Sequence, residues 1–207
     1  MFNVQRRYAF TMTAQTTDTK TKILAVGRRL TAQHGYSRVG LNELLKAADV
    51  PKGSFYHYFS SKDAYGCALL EDFVTKYHDS LIETLNDPSR NAHDRFLAYF
   101  QRWKVKQTTP DFQDRCLVVK LSAEVTDLSV SMSAILKRGV DDIVKSLTKT
   151  LDEGISEGSI APLKDTAALA QSIYHQWLGA SLVAGLSGND EALKAAMKTT
   201  EQAVSAA

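Results

Sequence analysis

Cysteine and long apolar runs are scarce in this chain, and each shortage excludes a class of protein. The only cysteines are Cys67 and Cys116, too few for a disulfide framework or for a zinc site built from four cysteines. No apolar run approaches the roughly 20 residues that a membrane-spanning helix needs. The first residues, MFNVQRRYAFTM, lack the apolar stretch of a signal peptide, and either Met1 or Met12 would serve as the natural start. We therefore expect a cytoplasmic protein with reduced thiols, no membrane segment, no metal site and no cofactor.

Proline and glycine are also few, at 4 and 11 residues, beside 44% hydrophobic residues. This composition is typical of a packed globule rather than a disordered chain. The formal net charge of +2 conceals an uneven distribution: through residue 62, ten Lys and Arg stand against three Asp and Glu, a net charge of +7. The remainder holds 15 basic and 20 acidic residues, a net charge of −5. A basic head on an acidic body favours a DNA-binding module joined to a module that does not bind DNA.

Apolar residues recur at helical rather than strand spacing from Thr19 to the end of the chain, which predicts an all-α fold. The expected helices cover about 19–34, 41–48, 52–59, 61–85, 92–107, 115–128, 130–157, 165–186 and 191–204. We expect three parts along the chain. They are a flexible N-terminal arm (1–17), a helix-turn-helix DNA-binding domain of three helices (18–62), and a helical effector-sensing and dimerisation domain (63–207).

The helix expected at 165–186 contains the run ALAQSIYHQWLGASLVAGL, which is apolar or small on most of its faces. A helix of this kind must be buried on most of its faces. In a chain of this length, that favours a homodimer formed through the last two helices. The alternative is that the helix lies at the centre of a monomer.

The segment RVGLNELLKAADVPKGSFYHYFSSK, residues 38–62, has the pattern of a helix-turn-helix. Its first helix has an apolar inner face, and the DVP tripeptide makes the turn. Pro51 cannot continue a helix but suits the first turn of the next one, where its missing N–H is not needed. Phe55 and Phe59 are four residues apart and therefore share the inward face of the second helix.

The opposite face of that second helix is left with Gly53, Ser54, Tyr56 and His57. These are small, hydroxyl and polar aromatic groups, unlike the Lys and Glu mixture of an ordinary solvated helix. A short helix with such a face can enter the major groove of DNA, where its side chains reach base edges. The cations placed to hold the phosphates are Arg38, Lys52 and Lys62.

The sequence VPKGSFYHYFSSKDAY resembles the signature of the TetR family of bacterial regulators, and GYSRVGLNELLKAADV resembles the helix and turn that precede it there. The resemblance covers about residues 20–66, and the length and helical order of the remainder agree with it. It implies a homodimer that binds double-stranded operator DNA of pseudo-palindromic sequence, with recognition helices about 34–36 Å apart. It also implies repression relieved by a signal, although residues 1–62 by themselves leave activation open.

The resemblance further implies roles for individual residues. Base contacts are expected from Ser54, Tyr56 and His57. Phosphate contacts are expected from Lys52, Tyr58, Lys62 and the region that holds Gly40 and Asn42. For any one of these residues, packing is the alternative role, as for the ring of Tyr58.

A second pattern is the stretch DRCLVVKLSAEVTDLS, residues 114–129, in which Asp114 can cap a helix that carries Cys116 in its first turn. Arg115 is adjacent, and Lys120 lies four residues further on. A helix N-terminus and neighbouring cations both stabilise a thiolate, which is the form that attacks electrophiles and oxidants. The charge of Asp114 acts in the opposite direction. The alternative is a buried cysteine that serves as a small apolar residue.

The same stretch, together with KGSFYHYF, resembles a TetR subgroup that senses reactive electrophiles and unsaturated carbonyl compounds. This subgroup includes the repressor of the N-ethylmaleimide reductase operon and acrylate-responsive regulators, and its members carry a cysteine at the place of Cys116. They also carry a lysine shortly after a W-x-G-A segment, where this chain has Gly185. A mechanism that needs this lysine as the partner of an oxidised cysteine is therefore not available here in the same form.

Aromatic residues in two of the expected helices suggest a possible effector pocket between the middle and penultimate helices. The set consists of Tyr99, Phe100, Trp103, Tyr174, His175 and Trp177. Aromatic residues in amphipathic helices more often form core than line a ligand site. Both interpretations stay open from the sequence.

Three functions therefore compete. The first is a DNA-binding repressor released by a reactive electrophile or oxidant at Cys116. The second keeps the DNA binding but uses a small molecule bound without a covalent bond. The third is an all-helical enzyme or interaction protein without DNA function, against which stands the lack of any catalytic motif. We therefore predict a regulator rather than an enzyme, with no catalytic residues, and expect coupling along the helix at 61–85.

Overall fold

A computed structural model of the chain describes residues 4–109 and 117–205, with the side chains of 19–109 and 118–205. All regular structure in these ranges is helical. In chain order the helices are α1 (Val4–His34), α2 (Leu41–Ala48), α3 (Lys52–Tyr58), α4 (Lys62–Leu85), α5 (Ala92–Thr108), α6 (Leu117–Leu128), α7 (Val130–Glu157), α8 (Thr166–Ser187) and α9 (Glu191–Ala203). The predicted all-α fold is confirmed.

Helix ends follow local capping rules. The side chains of Ser61, Asn91, Ser129 and Asp165 each accept a hydrogen bond from the backbone N–H three residues on, at the starts of α4, α5, α7 and α8. In this way an N-cap residue provides an acceptor for a backbone N–H that has no partner within the helix. Gly35 ends α1 with φ +85, a left-handed conformation that a residue without a Cβ adopts at little cost. These caps explain why most helix bounds agree with the sequence prediction within one residue.

Helix α1 begins at Val4 rather than near Thr19, so the chain from residue 4 to 17 continues the helix where a flexible arm was predicted. No proline or glycine precedes Gly27, so nothing in the backbone stops the helix earlier. The start predicted for α6 involves Asp114, and residues 110–116 lie outside the described residues.

The core consists of two clusters that meet along α4 and α7. The first joins residues of α1, α2, α3 and the first half of α4 to α6 and the start of α7; among its members are Ile23, Leu44, Phe55, Leu70, Leu121 and Leu136. The second joins the end of α4 to α5, α7, α8 and α9; among its members are Leu81, Phe100, Leu147, Trp177 and Leu193. The N-terminal helices therefore share a core with α6 and α7, which positions them on the rest of the molecule.

Neither a membrane segment nor a metal cluster is found in the part of the chain that the structure describes. No helix there is long and apolar enough to cross a bilayer. No three side chains of the types His, Cys, Asp and Glu gather closely enough to hold a metal ion. The candidate sites must therefore be built from other groups.

Candidate nucleic-acid interface and sensing region

Helices α2 and α3 form the predicted helix-turn-helix. The inner face of α2 buries Leu44 and Leu45, and α3 buries Phe55. The turn is made by Asp49, whose φ of 50 is left-handed and whose N–H bonds to carbonyls of α2. Pro51 is the N-cap residue of α3, so the chain leaves one helix and enters the next within a few residues.

The outward face of α3 is open as predicted. Gly53 and His57 are exposed, and 49% of Tyr56 is exposed even though it is an aromatic residue. Ser54 and Tyr58 are half-buried. A Cβ placed on Gly53 would meet nothing within 4 Å, so the backbone there is open to a ligand. The face predicted to read bases is therefore accessible.

The residues predicted to contact phosphates surround that face on neighbouring elements. Arg38, Gly40, Asn42, Lys52 and Lys62 are all exposed. They lie in the turn before α2, in its first residues, and at the starts of α3 and α4. Each predicted cation is therefore on the surface, where a DNA backbone can approach it.

Lys62 is held at the start of α4 by Tyr36. The Tyr36 hydroxyl donates to the Lys62 carbonyl at 2.7 Å, and the Lys62 ammonium lies 5.4 Å from the centre of the Tyr36 ring, within range of a cation–π contact. Burial and the nearby Asp63 raise the pKa of Tyr36 to about 12. The hydroxyl therefore stays a hydrogen-bond donor at every physiological pH.

The predicted sensing residues are only partly described. Cys116 and Arg115 lie outside the described residues. Lys120, on α6, directs its ammonium to the carbonyls of Ala32 and Gln33 at the end of α1, at 2.8 and 3.0 Å. Its hydrogen bonds therefore bind α6 to α1.

Glu124, one helical turn after Lys120, is a residue that sequence reasoning missed. Its carboxylate accepts hydrogen bonds from the backbone N–H groups of Tyr36, at 3.2 Å, and Ser37. Lys120 and Glu124 are spaced i, i+4, which puts both on one face of α6. That spacing of opposite charges was the available signal, but it could not indicate which backbone the pair contacts.

Cys67 is the other candidate thiol, on α4, and it is half-buried. Burial, followed by the charges of Asp63 and Glu71, raises its pKa. A thiol with a raised pKa is a poor nucleophile at neutral pH. This agrees with the interpretation of Cys67 as a packing residue.

The predicted aromatic pocket is largely a packed core. Tyr99, Trp103, Tyr174 and Trp177 are buried, and the ring centres of Trp103 lie 5.4 and 5.9 Å from those of Tyr174 and Trp177. The indole N–H of Trp103 donates to the Ser181 hydroxyl at 3.0 Å. The space beside Tyr99 and Trp103 amounts to about 20 Å³, room for one water molecule.

His175 lies at the edge of this cluster: its side chain is exposed, and its ring centre is 6.5 Å from that of Tyr174. Tyr174 and Trp177 are three residues apart and share the inward face, whereas His175 is turned by about 200° from Trp177 around the helix axis. Close ring packing therefore fills the space between these aromatic residues, and their role in an effector site stays a prediction.

A larger cavity, of about 810 Å³, lies where α5 and α6 meet the end of α8. Among the side chains and backbone that line it are Ala32, Gln107, Val119, Lys120, Ser181 and Gly185. The amide nitrogen of Gln107 is buried and has no hydrogen-bond partner among the residues that the structure describes. A Cβ on Gly185 would meet nothing within 4 Å, so the absence of a lysine side chain there leaves open space.

A helix-turn-helix with an open recognition face, set on a larger helical body, defines a DNA-binding transcription regulator. The chain belongs to the TetR family. Residues 23–64 match the family described as bacterial regulatory proteins, tetR family, and residues 92–200 match a C-terminal domain described as tetracyclin repressor-like. The resemblance inferred from the sequence is confirmed.

Several relatives cover most of the chain. The HTH-type transcriptional repressor NemR of Escherichia coli is 41% identical over 180 residues, which is 87% of this chain and 90% of that protein. The transcriptional regulator AcuR of Cereibacter sphaeroides is 32% identical over 164 residues, 79% of this chain and 75% of that protein. The crystal structure of the reduced form of E. coli NemR superposes with a TM-score of 0.88 at 39% identity, covering 92% of this chain and 98% of that one.

Proposed function

We propose that the protein is a repressor that binds a pseudo-palindromic operator as a homodimer and releases it when a reactive electrophile or oxidant modifies Cys116. The observation that carries the DNA-binding part is the open face of α3 with Gly53, Tyr56 and His57. The repressor part is supported by 41% identity to a protein named as a transcriptional repressor. Such a protein acts where the chromosome is, in the bacterial cytoplasm.

The residues of the helix-turn-helix domain have two roles. Tyr56 and His57, with Ser54, read base edges in the major groove, and Gly53 lets the backbone come close. The phosphate contacts are made by Arg38, Gly40, Asn42, Lys52, Tyr58 and Lys62. The exposure of the cations among them supports this division, because an exposed cation is accessible to a phosphate.

The homodimer is formed through α8 and α9. On α8, Leu182 and Val183 are about half-exposed and Leu186 is 88% exposed, on the side that also carries Gly179. An apolar patch of this kind on a helix with little charge is typical of a protein interface. The partner then brings a second α3 about one DNA turn away, roughly 34–36 Å.

The signal enters at Cys116, the residue directly before α6. With an unsaturated carbonyl compound, the thiolate sulfur forms a bond to the β-carbon, the carbon–carbon double bond is lost, and the α-carbon takes a proton from water. Two observations support this site: the identity to NemR, whose crystal structure is described as a reduced form, and the cavity that begins on α6 at Val119.

A second candidate keeps the operator but replaces covalent modification with simple binding. The observation that favours it is the cavity of about 810 Å³, a volume within the range of small-molecule sites. The unpartnered amide of Gln107 and the ammonium of Lys120 would donate to an acceptor group of the ligand.

The DNA-binding part is tested by a mobility-shift titration with the duplex that lies upstream of the protein's own gene. We expect a complex that forms at lower protein concentration than with shuffled duplex of equal length, and that weakens steeply as salt rises. Equal affinity for both duplexes would contradict the proposal.

The sensing part is tested with 1,4-benzoquinone as the electrophile. Wild-type protein and the control Cys67→Ser should both release the duplex after treatment, whereas Cys116→Ser should stay bound. Release of the Cys116→Ser protein to the same extent as wild type would contradict covalent sensing at Cys116 and favour the cavity. Mass spectrometry of the treated protein identifies the modified residue.

A further inference from the structure

Two charged side chains of α6 hold the end of α1 and the turn that follows it. We propose that Lys120 and Glu124, which we call the α6 clamp, are positioning residues that keep the DNA-reading helices in the orientation that binds DNA. The inference rests on the proposed function in one respect, that α2 and α3 bind an operator. The positioning itself follows from contacts within the chain.

Lys120 supplies hydrogen-bond donors to backbone carbonyls at the end of α1. The last carbonyls of a helix have no partner within the helix, and those of Ala32 and Gln33 accept from the Lys120 ammonium at 2.8 and 3.0 Å. A cation is also favoured at the negative end of the helix dipole. The contact therefore fixes the end of α1, which immediately precedes the helix-turn-helix, to α6.

Glu124 supplies the complementary acceptors. The turn after α1 presents the N–H groups of Tyr36 and Ser37 to its carboxylate, and the left-handed Gly35 makes this turn possible. A Cβ on Gly35 would lie 3.0 Å from a carboxylate oxygen of Glu124, tighter than most such contacts. Burial acts to raise the pKa of Glu124, but the bonds from Ser37 and Tyr36 and the charge of Lys120 outweigh it and lower the pKa. The carboxylate is thus charged at neutral pH.

Tyr36 carries the contact onward to the DNA-reading surface. Its backbone is bound by Glu124, and its hydroxyl donates to the carbonyl of Lys62 at the start of α4. Tyr36 reaches α4 closely because Gly66 has no side chain there, and a Cβ on Gly66 would overlap the hydroxyl. One residue therefore joins α6 to the start of α4, where a phosphate contact is expected.

The contacts from α6 through Tyr36 to the DNA-reading helices differ from the route that chain connectivity alone suggests. Helix α4 is joined directly to the head, and coupling was expected along its length. Helix α6 is distant in sequence but touches the head through the α6 clamp, and Lys120 also lines the large cavity. Lys120 therefore connects that cavity directly to α1, without passing along α4.

Hydrogen–deuterium exchange on the free, full-length protein tests the positioning without DNA or effector. In Glu124→Ala and Lys120→Met we expect exchange to become at least fivefold faster in α2 and α3, which the clamp does not touch, as well as in residues 35–40. Lys120→Arg, which keeps a donor, should restore slow exchange. Asp127→Asn, an equal loss of charge on an exposed site of α6, should match wild type.

Faster exchange confined to residues 35–37, or none at all, would overturn the proposal, because the clamp would then be only a local contact. Should Glu124→Ala fail to fold, Glu124→Gln removes the charge while keeping the shape, and an increase of at least twofold in the α2–α3 exchange rate is expected. Exchange in α2 and α3 at the wild-type rate in that variant would equally overturn it.

Titration with the upstream duplex provides the second measurement. Both clamp variants should bind at least fivefold more weakly than wild type, with Asp127→Asn within twofold, because a loosened head must be ordered on binding. Unchanged or tighter binding would overturn the proposal. If wild-type protein binds no duplex, the proposed operator function fails, while the exchange measurement still decides the clamp.

Discussion

Aromatic side chains are concentrated in two regions of this molecule, and the two regions use them in opposite ways. On α3, Tyr56 and His57 are exposed. Between α5 and α8, Trp103, Tyr174 and Trp177 are buried and packed ring against ring. The residue types are alike, but only the first region can meet a partner outside the chain.

The difference comes from what lies opposite each helix. Helix α3 has seven residues and buries Phe55 on one side, while Tyr56 and His57 on its other side are exposed. Helix α8 has 22 residues and contacts α7 on one side and α9 on another, and its polar aromatic atoms find partners within the protein. The indole N–H of Trp177, for example, donates to the Thr200 hydroxyl at 2.9 Å. Aromatic content alone therefore does not distinguish a binding surface from a core.

The largest expected effect is on stability and comes from Trp177→Ala, which removes one of the buried aromatic side chains between α5 and α8. Removing the indole leaves a cavity and takes away the donor that Thr200 accepts from, so we expect a loss of about 3–5 kcal/mol in the free energy of unfolding. Urea denaturation measures it. The matched truncation on the open face, Tyr56→Ala, should change the free energy by less than about 0.5 kcal/mol. Equal losses in both variants would remove the distinction between the two regions.

The next largest effect is on DNA binding and concerns the exposed side chains of α3. His57→Ala should weaken binding to the upstream duplex by about 10- to 100-fold, on the order of 1–3 kcal/mol, and should relax the preference over shuffled DNA. Fluorescence anisotropy with both duplexes measures this change. Lys145→Ala, an exposed cation on α7, is the control and should bind as wild type does. A His57→Ala protein with unaltered sequence preference would show that His57 does not read bases.

A smaller effect is expected from Lys62→Ala, which removes one phosphate contact. Binding should weaken by a similar factor on specific and shuffled DNA, and the slope of log affinity against log salt should fall by about 1. Titrations at several salt concentrations measure the slope. If the preference between the two duplexes changed instead, Lys62 would have to be counted among the residues that read bases rather than those that contact phosphates.

The smallest effect concerns pH and Glu124. Its folded-state pKa is lowered from the ordinary 4.5, so the stability that it contributes is present above that value and is lost as the pH falls through the lowered pKa. Thermal unfolding of wild type and Glu124→Gln should therefore differ slightly at pH 7 and converge under acid conditions, with Asp127→Asn as the control. A difference that persisted or grew on acidification would contradict a charged Glu124 in the native state.

Much of the fold could be predicted because its signals are local. The bounds of α2 and α7 agree with the sequence prediction at both ends, since a left-handed Asp49 and Gly158 and a Ser129 cap act within a few residues of the helix they end or begin. The inward position of Phe55 and Phe59 follows from helical spacing alone and is confirmed. The early start of α1 was missed, because threonine-rich residues before Thr19 gave no periodic apolar pattern.

The sensing region was less predictable, because its contacts join elements far apart in the chain. Lys120 was predicted as a neighbour of Cys116, but its ammonium reaches the carbonyl of Ala32 on α1, 88 residues earlier in the chain. His175 was grouped with Trp177 by sequence proximity, yet the two lie on different faces of α8. The position of Cys116 stays a prediction.

The amino-acid sequence by itself determined the helical class, the helix-turn-helix, its family and which face of α3 is exposed. These follow from periodicity, caps and a short motif, all of which act over one or two helical turns. Only the tertiary structure decided that the aromatic residues of α5 and α8 close into a core, that the open cavity lies beside Lys120, and that α6 holds the end of α1. These depend on which faces meet across the chain, and side-chain packing and charge pairing at a distance leave no periodic trace in the sequence.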